Sequence, residues 1–344
     1  MAELPMDLLR DLSASAESAD RSPDWPASWT ALRAAGVLAW SIPSAYGGAE
    51  LEPVELLRRS EVIAANCLTT AFILSQRDAA IRRLLAGPAH LQSRYLPALA
   101  AGDQFTTVGL SQLTTSRQHQ RPALRATPTS TGNFVLDGDI PWVTGADQAG
   151  AIVTGATLPD SNQVLVLLPT DLPGVEIGPP LPLAALAGSR TALVRCAGVE
   201  VARDLLLAGP AERVLRPGGG GGLETSGLAI GLAGAAADFL RRESATRPDL
   251  AAAADRFLAT RDAARRRLHA LNDTPDPQQT LALRAECTSL ALRSTQAALL
   301  AAKGSGFVVP HPAQRWSRQA LFFLVWSCPR PVAAGVLDDL LPSD

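Results

Sequence analysis

Apolar positions recur at helical spacing through the first hundred residues, in 29–35, 53–66, 68–85 and 91–101, with few β-branched runs. Gly36, the stretch 43–48, Gly87-Pro88 and Gly102 punctuate these segments. Near residue 103 the texture changes. FTTVGLS, GNFVLDGDIPWVTG, AGAIVTGAT, NQVLVLLPT and TALVRCAGVEV are short, rich in Val, Thr, Ile and Phe, and separated by turn residues. That spacing predicts an antiparallel β domain reaching to about residue 208. The glycine run 218–222 reads as a flexible linker, because it lacks the spacing and the following Lys of a phosphate-binding loop. Helical spacing then returns in 224–243, 250–271, 278–303 and 315–325. Within the third of these, Leu283, Cys287, Leu290, Ser294 and Ala297 share one face. The pattern therefore predicts an α+β chain with an N-terminal helical domain over 1–104. A central antiparallel, β-barrel-like domain follows over 105–208, then a C-terminal helical bundle over 209–344.

Composition narrows the function. Of 344 residues, 47% are hydrophobic and 19% charged, which suits packed domains. The 31 basic and 33 acidic residues give a net charge of -2, so no strong field attracts nucleic acid or an anionic membrane. Lys303 is the lysine among otherwise arginine cations, a coding bias more than a functional signal. Cys67, Cys196, Cys287 and Cys328 are far apart and the four histidines are scattered, which argues against a disulfide scaffold or a metal site. A reducing, cytoplasmic setting is expected. The first twenty residues lack the apolar core of a signal peptide, and no uninterrupted apolar run reaches the ~18–20 residues of a membrane span.

Four ordered strings carry a resemblance. GVLAWSIPSAYGG at 36–48 resembles a GL-x-x-x-x-x-P-x-x-Y-GG segment, and YLPALAAGDQ at 95–104 resembles a stretch leading into a β domain. GNFVLDGDIPWVTGADQAGAIVTGAT resembles Y-x-L-N-G-x-K-x-W-I-T-N-x-x-x-A-D. KGSGFVVPHPAQRWSRQA resembles GG-x-G-Y-x-x-x-x-P-x-E-R-x-x-R-D-A. Together they resemble the acyl-CoA dehydrogenases, a flavoprotein family with this three-part architecture. The resemblance implies FAD and α,β-dehydrogenation of an acyl thioester, as in fatty acid metabolism. In that reaction a carboxylate takes the α-proton while the β-hydrogen leaves as hydride to the flavin. It also implies an electron-transfer acceptor protein and a homodimer or homotetramer.

Site residues follow from the same matches. Trp142 and Thr144 match the family's flavin-facing W-x-T pair; a strand Trp beside a strand Thr is also ordinary β-domain packing. VGLSQLTTSRQ falls where the family has T-E-P-x-x-G-S-D. Ser111 there takes the Thr place, able to hydrogen-bond a flavin carbonyl; Gln112 takes the Glu place, Ser116 that of a substrate-binding Ser, and Arg117 that of the Asp. Relatives have E-R-x-x-F-G after the first C-terminal helix, where Arg touches the FAD pyrophosphate across a subunit interface. Here the chain reads FLRRESATRPDL, and Arg241, Arg242 or Arg247 could supply that contact, with Arg241 the choice taken. An exposed, merely solvated arginine is the alternative. Leu300 stands where relatives have a glutamine, and Gly304 and Gly306 where they have GG-x-G.

The catalytic base departs from the family pattern. Counting on from Arg318-Gln319-Ala320 puts Ser327 at the usual glutamate position and Cys328 at the following glycine. Some relatives carry the base instead at the start of the first C-terminal helix. Aligning LETSGLAIGLAG on its Gly-x-x-Gly spacing puts Glu224 there, although a glutamate favoured by the helix dipole would stand at the same place. The expectation is an acyl-CoA dehydrogenase-like flavoenzyme with Glu224 as base. Flavin-dependent oxygenation on the same fold and a non-catalytic structural subunit are the alternatives.

Overall fold

A computed structural model describes residues 4–114, 122–215 and 222–341. The helical N-terminal part comprises α1 (Met6–Arg21), α2 (Ser28–Ala34), α3 (Pro53–Asn66), α4 (Leu68–Leu85) and α5 (Ala89–Ala101). The stretch 68–85 forms a single helix as its periodicity predicts. Helix α1 is a finding beyond the segments singled out above. Its buried face is Leu8, Leu12, Ala16 and Ala19, where two small alanines dilute the apolar signal. Pro53 opens α3 from its first turn, where a missing N–H costs nothing, and Gly102 at φ +72° closes α5.

The β part follows, with β1 (Thr106–Gly109), a short α6 (Ser111–Thr114), β2 (Leu124–Pro128), β3 (Phe134–Val143), β4 (Ala151–Thr157), β5 (Gln163–Pro169), β6 (Val175–Ile177), β7 (Ala192–Val201) and β8 (Leu206–Ala211). The strand order is β6-β7-β3-β2-β4-β5-β8, with β1 added beside β4. The expectation of a wholly antiparallel sheet is corrected: β1 runs parallel to β4, from Thr106 opposite Ala151 to Gly109 opposite Thr154, and β2 meets the end of β4 in parallel. Strand composition does not encode direction, and the long connection from β1 to β4 allows a parallel pair. Strand β8 pairs with β5 through Ala211, so the sheet runs past residue 208.

The C-terminal part consists of α7 (Gly222–Glu243), α8 (Ala251–Asp273), α9 (Pro277–Gly306), α10 (Pro312–Phe322) and α11 (Arg330–Leu340). Asp276 caps α9 by accepting from the Gln278 and Gln279 amides. Helix α7 is long and apolar enough by composition to cross a membrane, but 72% of that window is buried within the protein. It crosses α3 closely: a Cβ on Gly231 would lie 2.3 Å from the Glu61 carbonyl oxygen.

Two cores result, and α4 serves both. Its Leu68, Phe72 and Leu74 pack into the helical core with α1, α7 and α9, while Ile73, Ile81 and Leu84 pack against the sheet. A buried carboxylate joins the three parts. Asp20 of α1, 1% exposed, accepts from the Leu186 amide at 2.9 Å and from the Gln319 side chain at 2.9 Å, and pairs with Arg318 at 2.6 Å. Removing one partner of a buried ion pair leaves the other charge uncompensated. Asp20→Ala is therefore expected to lower the stability of unfolding in guanidinium by about 3–5 kcal/mol, and Asp20→Asn by less. A loss below about 1 kcal/mol, the scale of an exposed pair, would remove the junction role.

Candidate active site

A cavity of 720 Å³ opens where the three parts meet. Helix α4 supplies one stripe of its wall: Phe72, Ser75, Gln76, Ala79, Arg82 and Arg83, spaced at three, four and seven as one helical face. The sheet supplies Val108, Ser111, Trp142, Thr144 and Thr191. The C-terminal part adds Glu224 and Thr225 from the first turns of α7, and Phe322, Trp326, Ser327 and Cys328 from the end of α10 and the turn after it. The structure thus brings Ser111, Trp142, Thr144 and Glu224 to one cavity, together with Ser327 and Cys328.

Trp142 carries the most informative backbone. Ile140 pairs with Val194 and Val143 with Ala192, so β3 holds one residue more than β7 over this interval. Trp142 lies in that bulge at φ +61°, a left-handed conformation that is costly for a bulky side chain. The bulge turns the indole out of the sheet, 54% exposed against the cavity. The alternative of an ordinary buried strand tryptophan is thereby excluded. Two residues on, Thr144 is buried, its hydroxyl 3.3 Å from that of Thr191, which lies 2.9 Å from the Ser189 hydroxyl. Ser111 donates to the Pro141 carbonyl at 3.0 Å, fixing the start of α6 against β3. Gln112 does not line the cavity: its amide donates to the Gly109 and Gly155 carbonyls, both at 3.0 Å, and so anchors α6 to the sheet.

Glu224 pairs with Arg82 at 3.2 Å, and its side chain is 36% exposed. Ser327 stands at φ +47° in the turn after α10. Behind that turn Arg284 of α9 is buried and donates to the Trp326 carbonyl at 2.9 Å. Its guanidinium lies over the Phe323 ring at 5.5 Å, and burial lowers its pKa to about 10. The Trp326 ring stacks on Phe322 at 5.2 Å and meets Phe72 edge-on at 4.9 Å, making an aromatic wall.

Two expected residues fall elsewhere. Arg241, in the last turn of α7, is not in the cavity wall but is exposed and ion-paired with Asp255. Ser116 lies outside the described residues, as do Arg117 and most of the 218–222 run. Leu300, near the end of α9, is 80% exposed. The sequence reading missed the α4 wall. Its signal was present as Ser75, Gln76, Arg82 and Arg83 recurring along one face of the helix.

The chain is similar to several known proteins. The profile for the acyl-CoA dehydrogenase N-terminal domain matches residues 8–103. A probable acyl-CoA dehydrogenase, YngJ of Bacillus subtilis (strain 168), is 25% identical over 241 residues, which are 67% of this chain and 63% of that protein. The chain is thus similar to the acyl-CoA dehydrogenases, through its N-terminal part above all. An isobutylamine N-hydroxylase of Streptomyces viridifaciens is 24% identical over 188 residues, 52% of this chain and 50% of that one. The chain thus spans less than two-thirds of these curated relatives' lengths. Among solved structures, butyryl-CoA dehydrogenase of Megasphaera elsdenii superposes with a TM-score of 0.85 at 16% identity, covering 99% of each chain. Dibenzothiophene monooxygenase TdsC of Paenibacillus sp. A11-2 superposes at 0.80 with 18% identity, covering 97% of this chain and 95% of that one. Both show the acyl-CoA dehydrogenase superfamily fold.

The turn thiol at Cys328 is held toward its neutral form. Burial pushes the Cys328 pKa up, and the neighbouring Arg284 charge opposes that only in part. Thiolate therefore forms only above the ordinary thiol range of about 8.5. Cys67, Cys196 and Cys287 are buried, so iodoacetamide should label Cys328 first in the folded protein. Its labelling rate is expected to keep rising beyond pH 9, about half a unit above the ordinary thiol value. A rate that levels off by about pH 7, where ordinary thiols are still mostly protonated, would mean that the thiolate is stabilised instead.

Proposed function

We propose that the chain is a flavin-dependent oxidoreductase that holds FAD in this cavity and α,β-dehydrogenates an acyl thioester. The observation that supports the reading is the meeting of Ser111, Trp142 and Thr144 from the sheet with Glu224 from α7 around one 720 Å³ space. The donor set fits a flat ring with polar edges: an exposed indole for its face, and the Ser111, Thr144 and Thr191 hydroxyls for its edge. Bound FAD would supply the two-electron acceptor. Glu224 accepts the α-proton, and Arg82 fixes the position of its carboxylate. Trp326, Phe322 and Phe72 keep the acyl body in an apolar, water-poor wall.

Arg241 lies outside this cavity, so on this reading it meets FAD in a second copy of the chain, within a homodimer or homotetramer. Exposed apolar side chains of the C-terminal part, Leu300, Phe307, Leu321 and Val325 among them, suit such an assembly. A flavoprotein acceptor taking the electrons onward completes the proposal.

A second reading, flavin-dependent oxygenation, is favoured by two features. Ser327 replaces the usual base, and Glu224 is engaged by an arginine. The visible spectrum of the purified protein separates the readings. A flavin spectrum bleached by butyryl-CoA or octanoyl-CoA is expected. Glu224→Gln should keep the flavin and slow bleaching by at least ~100-fold, while Ser327→Ala changes the rate little. Equal bleaching in Glu224→Gln would remove Glu224 as the base. Bound flavin that no acyl-CoA bleaches would favour oxygenation, and a colourless protein would leave a structural subunit.

A further inference from the structure

The sheet wall of the cavity holds a set of hydroxyls whose connection to one another has a chemical consequence. Thr144 and Thr191 both line the cavity. Val143 pairs with Ala192 at the end of the β3–β7 ladder, so Thr144 and Thr191 are the next residues opposite each other. The Gly145 amide donates to the Ser189 carbonyl at 2.8 Å and ties the two segments together just beyond that pair. The Thr144 and Thr191 hydroxyls lie 3.3 Å apart, and the Ser189 hydroxyl lies 2.9 Å from that of Thr191. Ser189 is fully buried and stands outside the cavity lining.

A hydroxyl has one proton to donate and two lone pairs to accept with. Among the described residues the Ser189 hydroxyl has Thr191 as its partner, so its proton goes to Thr191, because a buried donor left without an acceptor is costly. Thr144 and Thr191 share one hydrogen bond, which leaves one of their two protons for the cavity. Two arrangements satisfy this count. In the first, Thr191 donates to Thr144, and Thr144 donates into the cavity. In the second, Thr144 donates to Thr191, which then accepts from both sides and turns its own proton to the cavity. Thr144 then keeps a lone pair facing the cavity. The two arrangements differ only by rotation of the Thr144 and Thr191 hydroxyls, and Ser189 donates in both.

Resting on the reading that FAD occupies this cavity, we propose that Thr191 is a positioning residue that lets Thr144 hydrogen-bond the edge of the flavin ring in both of its redox states. A ring nitrogen with a lone pair accepts from Thr144 in the first arrangement. Once that nitrogen has taken up a hydride from the acyl substrate, two electrons and one proton, it is an N–H and needs an acceptor. Thr144 is that acceptor in the second arrangement. No proton changes owner among the hydroxyls; each O–H only turns. Thr144 is 1% exposed, and with no acceptor behind it its proton would stay aimed at the ring and oppose the N–H. The threonine pair therefore holds the oxidised and reduced ring alike, and in this way sets the flavin potential.

The test is the midpoint potential of the flavin in protein incubated with FAD and freed of excess, titrated with dithionite against a reference dye at neutral pH. Thr191→Val keeps the side-chain shape and removes the acceptor behind Thr144. It should lower the potential by at least about 30 mV, which for a two-electron couple is a tenfold loss in relative affinity for the reduced ring. That loss is within the range for a buried hydrogen bond left unmade. Thr191→Ser returns the hydroxyl and should restore the wild-type potential. Ser189→Ala should leave the potential in place, because Ser189 donates in both arrangements. In a Thr144→Val background, Thr191→Val should change nothing further. If the valine variant does not fold, Thr191→Ala is read in the same way. An unmoved potential in Thr191→Val overturns the proposal, and so does an equal fall in Ser189→Ala, which would assign the effect to packing. A protein that takes up no FAD removes the redox function altogether, whereas a flavoprotein whose potential ignores Thr191 removes this proposal alone.

Discussion

The buried carboxylate of Asp20 is the constraint through which the three parts of the chain hold one arrangement. A carboxylate taken out of water requires compensation, and here it comes from different parts: Oδ1 accepts from the Leu186 amide of the β part and from Gln319 of α10, while Oδ2 is ion-paired with Arg318 of α10. Apolar packing alone is tolerant of small slides between layers. A charged group satisfied from two directions is not, because a shift of about an ångström breaks hydrogen bonds whose loss is uncompensated. The Glu17–Arg315 pair at 3.2 Å, one turn earlier on α1, repeats the same tie at the same junction. The cavity lies between the elements so joined, and its geometry depends on their relative placement.

Helix α4 turns that placement into a site. A helix placed between a sheet and a helical bundle must be apolar on two sides, which 68–85 is, with Ile73 and Ile81 toward the sheet and Leu68 and Leu74 toward the bundle. The narrow stripe left between these sides holds Ser75, Gln76, Arg82 and Arg83. That stripe faces the aromatic wall of Phe322 and Trp326 and the first turn of α7. Arg82 and Arg83 thus stand at the cavity between the two cores, whereas Arg77 of the same helix is buried against the Leu38 and Leu99 carbonyls.

The three-part order of helix, strand and helix was legible because hydrophobic period switches twice along the chain, and most helices of the first and last parts stand where that period places them. Helix α1 was less visible, since Ala16 and Ala19 bury little apolar surface each. The parallel pairing of β1 with β4 was not legible, because alternation specifies which face of a strand is buried and not its direction. At the site, Trp142, Thr144, Ser111 and Glu224 were legible through motif order, whereas the neighbours that give them an environment were not. Arg82 reaches Glu224 across 142 positions of sequence, and Arg284 reaches Trp326 across 42, so both contacts exist only in three dimensions.

The bulge at Trp142 also governs how the chain tolerates changes in length. With side chains alternating every residue along a strand, deleting one residue between Ile140 and Val143 would restore an unbroken ladder with β7 and exchange the faces of everything beyond it. Thr144 and the glycine turn that follows would then be displaced from their contacts with Thr191 and Ser189. Substitution at 142 alters a side chain, but a single-codon deletion there would re-index the strand. The bulge thus acts as a punctuation mark in the reading of β3.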